Sequence, residues 1–250
     1  MIGAFGHNLG TVGQSGVTPF VFGNALLFNG VNDYVINSSG AGCSCSADFT
    51  VGLWVKRNNL TSPQFPRMVD FSDGTNNFQL TFGGNGANNN IVHTKNTAYQ
   101  GGLTSTKHGT ALNISTWYCI VVSYTHTGNV MNVYIDGALA PSSAGETTGA
   151  TNLTGTALNL GRRNDGNAVT FLNGVLDEVG IKSGYAATLT DAQNFYNGGS
   201  GQYFDTVFAS PNVYYKLDET GTATTAVDSS GNGRDGTLTN FPASGQWVAH

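Results

Sequence analysis

Residues 117–139 read WYCIVVSYTHTGNVMNVYIDGAL, and this stretch limits the possible folds more than any other. The apolar run WYCIVVSYTH reaches a turn at Gly128-Asn129, and VMNVYID returns to a second turn at Asp136-Gly137. Glycine, asparagine and aspartate supply the backbone conformations that tight turns require, so residues 117–140 are predicted to form a β-hairpin. A hairpin alone is marginal in water, and each sheet must hide its apolar face against another layer. The same signal recurs along the chain. FTVGLWVKR (49–57) alternates, with Phe49, Val51, Leu53 and Val55 on one face. ALLFNG (25–30), DYVIN (33–37), RMVDFSD (67–73), NFQLTFGG (77–84) and NIVHTKN (90–96) are further strand candidates. TALNLGR (156–162), FLNGVLDEVGIKS (171–183) and VYYKLDE (213–219) complete the run.

Roughly twelve short strands with tight turns are most economically arranged as two stacked antiparallel sheets. Composition agrees: glycine is 35 of 250 residues, and only 10 % of residues are charged, where about 25 % is usual. The surface must be built largely of Asn, Thr, Ser and Gly. One helix is expected, capped by Thr190 with Gln193 at capping-box spacing, ended by Gly198-Gly199, and apolar at Ala192, Phe195 and Tyr196. No linker interrupts the chain. The expectation is an all-β, two-sheet antiparallel sandwich with one short helix, one domain over 1–250, with GSGQYFDTVFASP (199–211) as a connection.

The net charge is −5 and the ten basic residues are scattered, so no positive stripe is available for nucleic acid. The opening MIGAFGHNLGTVG has neither a basic start nor an apolar run, so neither a signal peptide nor a membrane span is expected. Cys43 and Cys45 are too close for redox or zinc spacing, and Cys119 is read as a small buried hydrophobe.

Three phrases together resemble the laminin-G-like, or concanavalin A-like lectin/glucanase, jelly-roll family. They are FGNALLFNGVNDYV (22–35), FTVGLWVKR with the 117–139 hairpin, and LNLGRRNDGNAVTFLNGVLDEVGIKSGYAATLTDAQNFYNGG (158–199). One departure stands out. VYYKLDETGTATTAVDSSGNGRDGTLTNF (213–241) resembles the phrase that usually opens such domains, yet it closes this chain. GQWVAH (245–250) and GVTPFVFGNAL (16–26) resemble two halves of one family loop. The order reads as a circular permutation, which compact domains with neighbouring ends tolerate. Strand exchange between subunits and a truncated second domain are the rival accounts.

The resemblance also implies a structural calcium ion between the VDSSGNGRDG loop and the Asp177-Glu178-Val179 strand. Asp177 and Asp228 would supply carboxylates, with carbonyl oxygens near Ser230, Asn232 and Gly233, for an ion that takes six to eight oxygens. By strand alternation Glu178 would be the solvated neighbour of Asp177. Alternatively, Asp228 and Asn232 cap turns and Asp177 caps a neighbouring loop. No closely spaced acidic cluster of the kind glycoside hydrolysis needs is visible, nor a nucleophile elbow, zinc helix or phosphate loop, so no enzyme is expected. Asp33, Asp136 and Asp165 are read as turn caps, and His93, His108 and His126 as isolated surface residues.

Binding is the better class. Loops at 58–66, 84–90, 96–110 and 162–170 carry Tyr99, His108, Arg162, Arg163 and Asn164 as candidate glycan contacts. Trp54 and Trp117 are assigned to packing. Two roles remain: a virion-surface structural protein (a capsid decoration or fibre component) docked on capsid or like subunits, with glycan binding secondary; or a secreted carbohydrate-binding or adhesion module. The sequence 3–22 is read as a docking arm. Either role places the protein on a virion surface or outside the cell.

Overall fold

The computed structural model describes residues 21–42, 47–58, 65–72, 76–83, 92–98, 106–128, 130–141, 157–164 and 171–250. Residues 3–20 of the proposed arm, both early cysteines, Asp73, Tyr99 and Asp165 lie outside them.

Two antiparallel sheets face each other. From one edge, the first sheet runs Ala138–Leu139, Val130–Ile135, Trp117–Thr125, Phe49–Arg57, Asn173–Ser183, Asn24–Asn29 and Trp247–Ala249. Val213–Tyr215 is added onto Asn173–Ser183. The second sheet runs Thr225–Ala226, Gly236–Thr239, Tyr34–Asn37, Ala157–Leu160, Arg67–Ser72, Asn76–Phe82, Val92–Ala98 and Thr106–His108. The hairpin forms in register, with Val122 opposite Val133 and Ile120 opposite Ile135. The closing residues enter both sheets of the same chain: Val213–Tyr215 and Trp247–Ala249 join the first, and Gly236–Thr239 pairs with Tyr34–Asn37 in the second.

Alternation sorts the side chains as the sequence predicts. Phe49, Val51, Leu53 and Val55 enter the core between the sheets with Phe71, Phe78, Ile120, Val122, Leu158 and Leu176. The opposite face of the first sheet is also covered. Trp54, Cys119 and Val121 pack there beneath Ala192, Phe195, Phe204 and Phe208. The helical segments bring these residues in. The main helix is Leu189–Tyr196, and its capping box uses Thr188 and Asp191, two residues earlier than the Thr190–Gln193 pairing read from the sequence. Thr188 and Asp191 bond reciprocally, and the helix ends at Asn197 in the left-handed region. The segment read as a connection carries a second short helix, Phe204–Val207.

Phe204 is fully buried because the sheet makes room for it. Gly52 and Gly180 are register partners on adjacent strands. A Cβ built on Gly180 would lie 2.1 Å from the Phe204 ring, and one on Gly52 would lie 2.8 Å from it. The two glycines form a hollow that one aromatic ring fills, the close approach for which a strand gives up a side chain.

Between Asp177 and Gly180 the pairing with Phe49–Arg57 shifts register, and Glu178 sits at φ 51. This bulge breaks the alternation on which the sequence reading of Glu178 relied. Glu178 is 2 % exposed and receives a hydrogen bond from the Tyr214 hydroxyl, so the expectation of a solvated Glu178 is corrected.

Candidate functional site

Asp228 organises the loop predicted to hold calcium. Its Oδ1 accepts the backbone N–H groups of Tyr214 and Ser230, each at 3.0 Å. Its Oδ2 accepts the Ser230 hydroxyl at 2.8 Å and the Arg234 N–H at 2.9 Å. Burial opposes the charge, but the bonds from Ser230, Arg234 and Tyr214 outweigh it and hold the Asp228 carboxyl below its ordinary value. Asn232 donates its amide to the carbonyls of Pro211 and Asn212. Gly233 lies at φ 68, a conformation that favours glycine.

Asp177 is committed elsewhere. Its Oδ1 accepts the Glu178 N–H, and its Oδ2 lies 2.6 Å from His250 Nδ1. The His250 ring is sandwiched between Phe22 and Trp117, with centroids at 3.5 and 3.8 Å. The charges that act on Asp177 are those of Glu178, Asp218 and Glu219, not Asp228. Among the described residues no three His, Cys, Asp or Glu side chains gather as a metal centre requires. N–H and O–H donors fill Asp228 and the two carboxylates have separate partners, so a calcium ion bridging them would have to displace these bonds.

The bulge does create a pair of buried acids. Asp177 is held well above its ordinary range by burial and by the charges of Glu178 and Asp218. Glu178 is pushed up to about 8, by burial first, then by Asp218, against the opposing Tyr214 hydrogen bond and Lys216. His250 is lowered to about 4 by burial and by Lys56, so burial disfavours the charged form of both partners in the Asp177–His250 contact. A stability consequence follows for Glu178. The folded state keeps a proton that the unfolded chain releases near 4.5, so stability falls as pH rises from 4.5 through about 8 and levels off above it. Glu178→Gln keeps a hydrogen-bonding oxygen for Tyr214 and should flatten that limb. Urea midpoints of both proteins at the two ends of this window measure it; parallel pH profiles would assign the dependence to other groups.

The loop candidates divide. His108 is 1 % exposed and bonds Thr94 at 2.8 Å, so it is an interior residue of the second sheet rather than the surface residue expected. Arg162 and Asn164 come together. The Arg162 guanidinium lies 3.5 Å from the centroid of the Tyr34 ring, and its Nε donates to Asn159 Oδ1 at 3.0 Å. Asn159 in turn donates to Asn164 Oδ1 at 2.8 Å. Arg163 is half-buried beside them.

Sequence reasoning missed the groups beneath this platform. Asn159 pairs in register with Asp70, and Asp70 with Gln79, forming a polar row across the outward face of the second sheet. Asp70 and Asn159 are fully buried, and Arg67 lies 3.9 Å from Asp70. The signal was alternation: with Leu158, Leu160, Val69 and Phe71 pointing inward, Asn159 and Asp70 must point outward.

Comparison with known proteins gives the same fold. A crystal structure described as "a putative carbohydrate binding protein from Bacteroides ovatus ATCC 8483" superposes with a TM-score of 0.66 at 18 % identity, over 89 % of this chain and 59 % of that one. The chain thus spans less than two thirds of that protein's length. A heptameric SAP-like pentraxin from Limulus polyphemus gives 0.55 at 11 % identity, over 79 % of this chain and 94 % of its own. A Trypanosoma rangeli sialidase gives 0.51 at 17 % identity, over 69 % of this chain and 27 % of that one. No curated protein matches the chain. A family model described as the concanavalin A-like lectin/glucanases superfamily matches residues 29–193, well over half of the chain. With the two-sheet sandwich and its covering helix in place, the chain belongs to the concanavalin A-like lectin/glucanase superfamily.

Proposed function

We propose that the protein is a non-enzymatic glycan-binding module that works outside the cell or on a particle surface, with Tyr34, Arg162 and Asn164 as its contact. The Arg162 arrangement carries this reading. A guanidinium stacked on a ring and fixed by an amide is a flat, rigid surface with donors at its edge. Sugars are bound by such surfaces, because a preordered platform loses little freedom on binding. The Bacteroides protein's description as carbohydrate binding supports the same class. The buried acids support a non-enzymatic role: Asp177 is capped by His250 and Glu178 by Tyr214, and glycoside hydrolysis needs two carboxyl groups open to the sugar.

The narrower reading is a decoration or fibre component of a bacteriophage-like virion, bound to capsid or like subunits. Its support is the low charge of the whole chain, at 10 % charged residues. No described helix is long and apolar enough to cross a membrane. We also read 1–250 as one permuted domain, with 213–241 in the place of the family's opening strand and loop; the pairing of Val213–Tyr215 and Gly236–Thr239 within the chain supports this.

Glycan-array binding by the protein and by Arg162→Ala tests the platform. Loss of this hot spot should cost about 2 kcal/mol, near thirtyfold in affinity, with an unchanged melting temperature. Equal binding by both proteins would remove Arg162 from the site.

A further inference from the structure

Beside the platform, the loops at the same end of the sandwich leave a cleft of about 490 Å³. Asn29, Asp33, Asn58, Asn173, Asn240 and Gln246 contribute amide and carboxyl groups to its wall, and Leu27 and Pro242 contribute apolar surface. No lysine or arginine lines it among the described residues. The cleft adjoins Arg162 through Gly161, where an added Cβ would lie 3.2 Å from the Asp33 carbonyl.

Its lips are held in place from within. Asn29 Oδ1 accepts the backbone N–H groups of Val31, Asn32 and Asp33. Asp33 Oδ2 accepts the Asn29 N–H at 3.0 Å, and Oδ1 accepts the Asn29 amide at 2.9 Å. Across the opening, Asn240 donates to the Asn32 carbonyl at 3.0 Å. Gln246 is 2 % exposed and gives its amide N–H to the Ala223 carbonyl, while its Oε1 has no partner among the described residues. Gln246 therefore acts as a buried support under the cleft rather than as a contact at its surface.

We propose that this cleft binds one neutral sugar ring, adjacent to the ring held by the Tyr34–Arg162 platform. The inference rests on the glycan-binding reading and adds to it a second subsite and its charge preference. With Asn29 and Asp33 bonded to each other and Gln246 buried, the amides of Asn58 and Asn173 and the Asn240 carbonyl oxygen are the groups left to face a ligand, and they offer the donors and acceptors that sugar hydroxyls can satisfy. The volume falls within the usual range of small-ligand sites, roughly 300–1,000 Å³. Leu27 and Pro242 offer apolar surface to the C–H face of a pyranose. An anionic ligand would find no cation here. A divalent cation would find one carboxylate, Asp33, with both oxygens already bonded to Asn29.

Saturation-transfer NMR with the methyl glycosides of glucose, galactose, mannose and N-acetylglucosamine at millimolar concentration tests the cleft, with sialyllactose as the anionic probe. The full chain is compared with Asn58→Phe, which fills the cleft, with Asn240→Ala, which removes an exposed amide from its lip, and with Arg162→Ala. Thermal melting checks that each variant is folded. The expected result is binding of a neutral methyl glycoside that weakens about tenfold or more in both cleft variants and persists in Arg162→Ala. Binding lost only in Arg162→Ala would overturn the cleft and leave the platform standing. Preference of the cleft for sialyllactose would overturn its neutral character. Binding of no sugar by any of the proteins would overturn both this inference and the glycan-binding reading.

Discussion

Gly180→Val should lower the melting temperature by roughly 10 °C, corresponding to about 4 kcal/mol for a chain of this size. The valine would project into the hollow that Gly180 and Gly52 leave for Phe204. At 2.1 Å from that ring even a methyl group has no room, so Phe204 must leave the sheet. Phe204 touches the rings of Phe195, Phe208 and Tyr214, and its departure would loosen the layer that covers the first sheet. The cost combines overpacking with the lost burial of a large aromatic side chain. Thermal melting followed by near-ultraviolet circular dichroism reads both. Adding Phe204→Ala to Gly180→Val should recover part of the loss, since the clash is with that ring. A melting temperature within a degree or so of the parent would show that the hollow is not what fixes the helix.

Asp228→Ala should be comparably severe, at about 4 kcal/mol. It removes the acceptor for the backbone N–H groups of Tyr214, Ser230 and Arg234 and for the Ser230 hydroxyl, at a side chain that is 8 % exposed. Asp228→Asn keeps one acceptor oxygen and should lose about half as much. The pH dependence identifies the group. A carboxyl held below 3.8 in the folded state stabilises above that value, and the contribution disappears as pH falls through the folded value. The gap between Asp228→Ala and the parent should therefore be wider at neutral pH than in acid, where the part that depends on the ionised carboxylate is lost. The parent should melt at the same temperature in calcium and in chelator. A calcium-dependent rise that vanishes in Asp228→Ala would restore the cation site implied by family resemblance.

Strands with several alternating residues were legible in the sequence. Phe49–Arg57 and the 117–139 hairpin show it best, because their inward residues are uniformly apolar. Short elements were not. Phe204–Val207 has four residues, too few to display a helical period, and Thr106–His108, Thr225–Ala226 and Trp247–Ala249 are similarly brief. The helix start was misplaced because Thr188 and Thr190 each have a hydrogen-bonding side chain three residues on; the backbone chose Thr188 with Asp191. Glu178 was misread for a different reason. Strand alternation assumes a constant period of two, and one residue in the left-handed region cancels it locally. At the candidate site, Arg162 and Asn164 could be named from loop composition, whereas Tyr34 and Asn159 depend on pairing between strands distant in sequence. His108 looked like loop surface until the short strand it occupies was placed against Val92–Ala98.

The two walls of the sandwich differ in how freely they can diverge. The first sheet has apolar layers on both sides, so along Trp117–Thr125 nearly every position is held by a neighbour. The second carries its apolar residues on one side and the Asn159–Asp70–Gln79 row on the other. A substitution in the loops over that polar side leaves the apolar fit between the sheets untouched, whereas one in the first sheet disturbs packing on one face or the other.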